Sequence, residues 1–194
     1  MRNRFRLLFA LAVAALVAGC GVQSIPQAEN QVDAAWAEVQ NQYQRRADLV
    51  PNLVNTVKGF ATQEKEVLTE VTQARARATG VTLQADQLTP ENLRQFEQAQ
   101  NQLGGALSRL MVVAERYPEL RSNQNFRDLQ AQLEGTENRI AIARRRYIEA
   151  VQAFNNLVTV PPTSFTNSIF YRKEPKPQFT ATAPDAEKAP EVKF

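Results

Sequence analysis

The stretch FRDLQAQLEGTENRIAIARRRYIEAVQAFNNL, residues 126–157, carries the strongest periodic signal in this sequence of 194 residues. Large apolar residues recur at every seventh position, and mostly small or aliphatic residues occupy the interleaved positions. The first series is Phe126, Leu133, Ile140, Tyr147 and Phe154, and the second is Leu129, Thr136, Ala143, Ala150 and Leu157. Five consecutive heptads on one seam indicate a long helix that packs against other helices.

Three more apolar seams precede this stretch and predict three more helices. The first consists of Val32, Trp36, Val39 and Tyr43. The second consists of Val50, Leu53, Val57, Phe60, Glu64, Val67, Val71, Ala74 and Ala78. The third consists of Leu93, Phe96, Gln100, Leu103, Leu107, Leu110, Ala114 and Tyr117. Thr89 and Pro90 provide a cap and a first-turn proline for the third helix, and Pro118 ends it.

The boundary between the first two helices is ambiguous at RRADLVPNLV, residues 45–54. Proline disfavours helical geometry in the preceding residue, here Val50, and Asp48 is a suitable cap for a new helix. A tight turn at residues 46–49 would give four antiparallel helices. A single helix of roughly fifty residues, kinked at Pro51, would instead give a three-helix bundle. We favour the turn.

Prolines and glycines mark the limits of the helical region. Six of the ten prolines lie between residues 161 and 190, and no glycine follows Gly135. This distribution predicts an all-α fold, with an antiparallel four-helix bundle over residues 25–160 and an extended, proline-rich segment over residues 161–194. Part of this segment is apolar enough to lie along the bundle, namely Ile169, Phe170, Tyr171, Phe179 and Phe194.

The N-terminus has the pattern of a bacterial lipoprotein signal peptide over residues 1–19. Three arginines precede twelve apolar residues, 7–18, which are too few to span a bilayer. The sequence Val-Ala-Gly-Cys at positions 17–20 then resembles a lipobox. We therefore expect cleavage between Gly19 and Cys20, lipidation of Cys20 with palmitate or a similar chain, and a short tether over residues 20–24.

Removal of the signal peptide changes the charge balance of the chain. The three arginines of residues 1–19 leave 20 basic and 20 acidic residues in the mature protein, whose formal net charge is zero. The composition therefore gives no support for a nucleic-acid partner. Cys20 is the only cysteine, so no disulfide stabilises the exported chain. Gly21, rather than aspartate, follows Cys20, which favours the outer membrane facing the periplasm in a diderm bacterium.

The residue types argue against an enzyme. The chain contains no histidine, which excludes Ser-His and Cys-His nucleophiles and histidine-containing metal sites. Acidic residues are dispersed at helix-surface spacings. We expect no catalytic residues, no metal and no cofactor.

One carboxylate stands out because Glu64 falls on the second apolar seam. A lone buried carboxylate is costly, so the position predicts a partner. Arg139 and Arg144 flank the last seam at the matching level, and we expect Glu64 to pair with one of them. The alternative is that the seam shifts to Ala61 and Leu68 and leaves Glu64 exposed. The run of arginines at 144–146 is better explained by interhelical ion pairs than by a phosphate or headgroup site.

Several strings resemble the LemA family of bacterial membrane-attached proteins. They are RRADLVPNLVNTVKGFATQE, AERYPELRSNQNF, LQAQLEGTENRIAIARRRYIEAVQAFNNLV and the closing PEVKF. The resemblance covers roughly residues 30–194 and implies a four-helix bundle outside the cytoplasm with no established enzymatic activity. The family's gene neighbours imply a membrane zinc protease or a TPM-domain protein as partners. Most members keep an uncleaved N-terminal helix, and the lipobox departs from that pattern.

Together these features predict a lipid-anchored, non-enzymatic bundle that acts as an interaction or scaffold protein on the extracytoplasmic side of a membrane. The alternative is an extracytoplasmic sensor whose bundle binds a small ligand or peptide. An unfilled apolar cavity inside the bundle would favour that alternative.

Overall fold

The computed structural model describes the backbone of residues 2–179 and the side chains of residues 23–179. Its regular elements are all helical, and no strand occurs in the described range, so the predicted all-α class is confirmed. The elements are α1 (Arg2–Phe60), α2 (Lys65–Gly80), a 3-10 turn (Ala85–Gln87), α3 (Pro90–Ala114), α4 (Pro118–Ser122), α5 (Gln124–Thr159), α6 (Thr163–Thr166) and a π-helical turn (Asn167–Tyr171). Helix α1 passes through residues 20–24 in the uncleaved chain, and the tether predicted there for the mature protein stays a prediction.

Helix α1 continues through Pro51, and the tight turn predicted at residues 46–49 is wrong. One seam of buried residues continues at heptad spacing on both sides of Pro51. The residues of that seam are Val39, Tyr43, Arg46, Val50 and Leu53. Pro51 removes the N–H that would bond the carbonyl of Ala47. The Nε of Arg75 in α2 donates to that carbonyl at 2.8 Å instead. A contact from another helix therefore replaces the hydrogen bond that proline removes.

The first chain reversal lies at residues 61–64, between α1 and α2. The reversal shifts the buried positions by one residue from the predicted seam. Ala61 and Leu68 are buried, while Phe60 is 39% exposed. The shifted seam considered as the alternative is therefore confirmed, although its consequence for Glu64 differs, as described below.

Side-chain caps begin the two other long helices. Thr89 Oγ1 accepts a hydrogen bond from the backbone N–H of Asn92 at 3.1 Å, and Pro90 occupies the first turn of α3, as predicted. Asn123 Oδ1 accepts from the backbone N–H of Phe126 at 3.1 Å and begins α5.

The largest contacts between long helices join α1 to α5 and α2 to α3. Helix α1 lies along α5, with Trp36 beside Tyr147 and Arg46 beside Glu137, so residue numbers run in opposite directions. Helix α2 packs between α1 and α3. The backbones of α3 and α5 lie farther apart, because few of their Cα atoms approach within 8 Å. The seam between α3 and α5 is therefore bridged by side chains and is not closed by backbone packing.

The buried apolar residues form two separate clusters. The first surrounds Trp36, Phe96 and Tyr147, and the second surrounds Leu53 and Leu103. The clusters occupy successive levels along the bundle, and Arg46, Gln100 and Thr136 are the buried polar residues at the level between them. We call these three residues the polar layer.

Residues 163–171 after α5 form α6 and the π-helical turn, so the extended structure predicted for them is wrong. The chain then turns back and lies along α1 and α5. The side-chain amide of Asn155 exchanges two hydrogen bonds with the backbone of Lys176, at 2.9 and 2.8 Å. Phe179 is buried against Trp36 and Tyr147, as expected for a docked segment. Ile169 and Phe170 are also predicted to dock, and here the prediction is wrong, because both are exposed. Phe194, the last of the residues predicted to dock, lies outside the described residues.

The Arg75 contact predicts an unusual coupling with Pro51. Arg75→Met leaves the carbonyl of Ala47 without a partner and should lower the free energy of unfolding by about 1–3 kcal/mol. In a Pro51→Ala background the new N–H bonds that carbonyl, so the same Arg75 substitution should cost no more than about 0.5 kcal/mol. Urea denaturation of the four proteins measures the coupling.

Pro90→Ala is the matched control, because proline in the first turn of a helix removes no hydrogen bond. It should leave the cost of Arg75→Met unchanged. If Arg75→Met lowers the free energy of unfolding equally in the wild type and in the Pro51→Ala background, then Arg75 does not replace the hydrogen bond that Pro51 removes.

Candidate functional site

Arg46 lies at the centre of the molecule, in the buried seam of α1, with only 4% of its surface exposed. Its Nη1 donates to Glu137 Oε1 at 2.8 Å. Its Nη2 donates to two oxygens of Gln100, the backbone carbonyl at 3.0 Å and the side-chain Oε1 at 2.8 Å. The side-chain nitrogen of Gln100 donates onward to the carbonyl of Ala78 at 3.2 Å. One guanidinium thereby links α1 to α3 and α5 directly, and to α2 through Gln100.

The local sequence predicts a turn that begins at Arg46, and its role as a link between helices is not among the predictions. A signal for it exists in the sequence. Its spacing of three residues from Tyr43 and four from Val50 continues the heptad pattern of α1 across Pro51. The guanidinium carbon also lies 5.1 Å from the ring centroid of Tyr43, a cation–π geometry that helps to offset its removal from water.

Arg144 links the same three helices, α1, α3 and α5, at a position closer than Glu137 to the C-terminal end of α5. Arg144 Nη2 donates to Glu97 Oε1 of α3 at 2.7 Å, and its Nη1 donates to the hydroxyl of Tyr43 at 3.3 Å. The side chain of Glu97 is only 6% exposed and that of Arg144 is 25% exposed, so the pair is largely withdrawn from water. The Arg144 guanidinium also lies 4.1 Å from the ring centroid of Phe179, and it therefore holds the returning C-terminal segment as well.

Tyr147 secures that returning segment beside Arg144. Its hydroxyl donates to the backbone carbonyl of Pro177 at 2.8 Å. Burial, and to a smaller extent the charge of Asp33, raises the pKa of Tyr147 well above its ordinary value. The hydroxyl therefore stays protonated and able to donate across the physiological pH range.

The space between α3 and α5 forms a groove of about 670 Å³ that opens to the surface. Arg46 and Gln100 of the polar layer lie at one end, and the apolar side chains of the lining are Leu107, Met111 and Leu133. Polar groups complete the lining, namely Asn101, Ser108, Gln130, Glu134 and Glu137. We call this the α3–α5 groove.

Two glycines keep the α3 wall of the groove low. Gly104 and Gly105 lie inside the helix, where each destabilises by about 0.5–1 kcal/mol relative to alanine. Neither has a positive φ that would require glycine. A Cβ on Gly104 would meet Arg46 Nη1 at 3.9 Å, and a Cβ on Gly105 would meet no atom within 4 Å. Folding does not require these glycines, so their effect is on the width and depth of the groove.

Three other clefts among the described residues are smaller. One of about 430 Å³ lies between α1 and α2 beside Val54 and Leu68, and one of about 460 Å³ lies between α1 and α5 beside Asn52 and Gln132. A third, of about 220 Å³, lies beside Tyr43 and Gln100. All three open to the surface and differ from the enclosed apolar cavity that would favour a small-molecule sensor.

Glu64 has a partner, but the predicted one is wrong. Its Oε1 accepts hydrogen bonds from Arg116 Nη2 and from the hydroxyl of Tyr117, both at 3.0 Å, in the turn between α3 and α4. The hydrogen bond to Glu64 raises the pKa of Tyr117 above its ordinary value. The chain reversal at residues 61–64 explains the change of partner, because it turns Glu64 toward α3 and away from α5. With 20% of its side chain exposed, Glu64 is neither fully buried nor on the solvated face.

The two arginines predicted to accompany Glu64 have different environments. Arg144 forms the buried pair with Glu97 described above. Arg139 is exposed and forms no ion pair with any residue in the described part of the chain, and the neighbouring Arg145 and Arg146 are exposed as well. An interhelical ion pair therefore exists in this region, but it involves a different carboxylate from the predicted one.

The predicted cleavage and lipidation residues, Gly19 and Cys20, lie outside the side chains that the structure describes. From residue 23 to residue 179, no three His, Cys, Asp or Glu side chains are close enough to hold a metal ion. In the same range, no helix is sufficiently long and apolar to cross a bilayer.

Comparison with known proteins identifies a family and two curated relatives. Residues 35–194 match the family model described as the LemA family. Magnetosome protein MamQ 1 and magnetosome protein MamQ 2 of Paramagnetospirillum magneticum (strain ATCC 700264 / AMB-1) are each 32% identical to the chain over 79 residues. The aligned part is 37% of this chain and 29% of each relative, so the chain spans less than a third of the length of these proteins.

The ion pairs predict a ranking of mutational costs. Glu97→Ala leaves the largely buried Arg144 unpaired and should lower the free energy of unfolding by about 3 kcal/mol. Glu64→Ala should cost about 1 kcal/mol, because its partner Arg116 is 63% exposed. Urea denaturation of the single variants gives the ranking, and double-mutant cycles identify the partners.

Arg139→Ala is the control, since an exposed side chain without a partner contributes within about 0.5 kcal/mol. Glu97 should couple to Arg144, and Glu64 should couple to Arg116 and not to Arg139. A larger loss for Glu64→Ala than for Glu97→Ala would show that the ranking is wrong.

Proposed function

The chain belongs to the LemA family, and on that premise we propose that it is a lipid-anchored, extracytoplasmic protein that acts as a non-enzymatic scaffold. In this proposal, α1, α2, α3 and α5 constitute an antiparallel four-helix bundle, and residues 172–179 extend along it. The bundle binds a protein partner in the α3–α5 groove. That groove is the observation that carries the proposal.

The lining of the groove suits a polypeptide segment. Helix α1 packs extensively against α5, and α2 packs against α1 and α3, whereas α3 and α5 leave a channel lined in part by Leu107, Met111 and Leu133. Amphipathic segments of partner proteins bind to grooves of this kind through spaced apolar anchors. Glu134, on the α5 wall, adds a negative charge, whereas the charge of Glu137 is paired with Arg46. A partner segment with apolar anchors and a basic side chain would match both features.

The glycines of α3 support the same use. Gly104 and Gly105 leave part of the α3 wall without side chains, although neither has a positive φ that would require glycine. A second backbone can approach a glycine pair more closely than it could approach larger side chains.

The anchor is proposed from the N-terminal sequence. The basic start, the short apolar run and the lipobox ending in Gly19 and Cys20 support cleavage and lipidation, with the bundle outside the cytoplasm. In a diderm bacterium the proposed location is the periplasmic face of the outer membrane. A membrane protease or a TPM-domain protein is the partner that the family resemblance suggests, and no nucleic-acid partner is proposed.

An alternative use of the groove is to bind a small ligand or free peptide, as in an extracytoplasmic sensor. Its volume of about 670 Å³ falls in the range of small-molecule sites, about 300–1,000 Å³. The groove is open along its side, however, and a small molecule there would remain partly in water. The open shape favours a protein segment.

Photo-crosslinking in native membranes tests the scaffold proposal. A photoreactive amino acid at Ser108, inside the groove, should crosslink to a protein partner of defined mass. The same amino acid at Gln102, an exposed residue of α3 outside the groove lining, should not. Gly105→Leu fills the groove and should abolish the Ser108 crosslink.

Gly135→Leu provides the matched control, since Gly135 is a helical glycine of α5 that does not line the groove. It should leave the crosslink intact. Equal crosslinking with and without the Gly105→Leu substitution would exclude the groove as the binding surface. In the same membranes a palmitate analogue should label the wild type, and Cys20→Ser should lose both the label and membrane association. A membrane-bound serine variant with an uncut signal would contradict the lipid anchor.

A further inference from the structure

The turn after α5 exposes a group of large apolar side chains. Phe165, Ile169 and Phe170 are 65%, 68% and 67% exposed, and Val160 at the end of α5 is 51% exposed. These four account for most of the large apolar side chains that are exposed in the described part of the chain. They lie within twelve consecutive residues, 160–171, which we call the apolar tip. Exposed apolar residues concentrated in this way mark an interaction surface.

The apolar tip has a defined conformation. Asn167 is buried, and its side-chain amide donates to the carbonyls of Val158 and Lys173, at 3.3 and 2.9 Å. Its Oδ1 accepts from the backbone N–H of Lys173 at 2.9 Å. These three bonds join the end of α5 to the start of the returning segment. The apolar side chains are therefore exposed on a turn whose backbone conformation is fixed by hydrogen bonds.

The residues just before and just after the apolar tip show where the tip lies in the bundle. The returning segment pairs with the N-terminal part of α1, where Lys173 Nζ lies 2.9 Å from a carboxylate oxygen of Glu29. Val158, just before the tip, shares a core cluster with Ile25. The tip therefore lies at the end of the bundle where α1 enters from the N-terminal apolar run.

Chain connectivity brings this end close to a bilayer. Ala18, the last residue of the apolar run, precedes Ile25 by seven residues. Seven residues span about 10 Å as a helix and at most about 25 Å when fully extended. Lipidated Cys20 is closer still to Ile25 in sequence. Either form of anchor would hold the Ile25 end of the bundle, and with it the tip, at the membrane surface.

We propose that the apolar tip inserts into the interfacial region of the bilayer as a second attachment point. Phenylalanine and isoleucine side chains are suited to the boundary between headgroups and acyl chains, where amphipathic segments bury their apolar side by about 5–10 Å. Arg172, next to the tip, is exposed and can remain among the headgroups. Two attachment points would fix the orientation of the bundle, which a single flexible lipid cannot do. The inference rests on the membrane anchor of the proposed function.

Quenching of tryptophan fluorescence by brominated phospholipids tests insertion in the full-length, membrane-reconstituted protein. Phe170→Trp places a probe in the tip, and it should lose most of its emission when the lipids carry bromine near the headgroup end of the acyl chain. The native Trp36 is 1% exposed in the core and should be unaffected, so the wild type gives the background.

Val112→Trp is the matched control. Val112 is 67% exposed, the same as Phe170, but it lies near the C-terminal end of α3, at the opposite end of the bundle. Its emission should not change with brominated lipid. If the protein sediments with the vesicles and the tip probe is quenched no more than the control probe, insertion is wrong, and another occupant, such as a protein partner, covers the tip. Failure of the wild type to sediment with vesicles would overturn both the anchor and the insertion.

Discussion

The buried guanidinium of Arg46 is the constraint from which much of the architecture follows. A charged group removed from water must be paired and hydrogen-bonded, and Arg46 obtains its acceptors from Gln100 of α3 and Glu137 of α5. Those contacts require α3 and α5 to stay far enough apart for a long side chain to lie between them. The apolar core is consequently divided into two clusters, and a groove remains where the backbones do not meet.

The two proposed interaction surfaces lie at different levels of the bundle. The apolar tip is level with Ile25, whereas the groove begins at the level of Arg46, about 30 Å farther along α1. The ion pair of Arg144 and Glu97 lies between these levels, and Arg144 contacts the ring of Phe179. The bundle would thus act as a spacer that holds the groove away from the bilayer. A partner could reach it without displacing the membrane-facing end.

The sequence predicts features that depend on local pattern. The first heptad series of α5, from Phe126 to Phe154, and the cap at Thr89 both occur as expected, because periodicity and capping act within one helix. The second series shifts by one residue after Ala143, so that Val151 and Val158 are buried in place of Ala150 and Leu157. The turn predicted before Pro51 is wrong because Arg75 of α2 replaces the hydrogen bond that the proline removes. A contact from another helix cannot be predicted from the local sequence. Glu64 was correctly identified as a carboxylate that needs a partner, but a reversal of four residues, 61–64, decides which arginine it meets.

The groove could not be predicted because it depends on the distance between two helices that are far apart in sequence. Paired nitroxide labels at Ser108 of α3 and Glu134 of α5 measure that distance directly across the groove. In the wild type we expect one narrow distance distribution, since Arg46 holds the two walls apart. With Arg46→Met, which removes the charge and its hydrogen bonds, the distribution should shift to shorter distances or broaden. An unchanged narrow distribution in the variant would contradict the central role of Arg46.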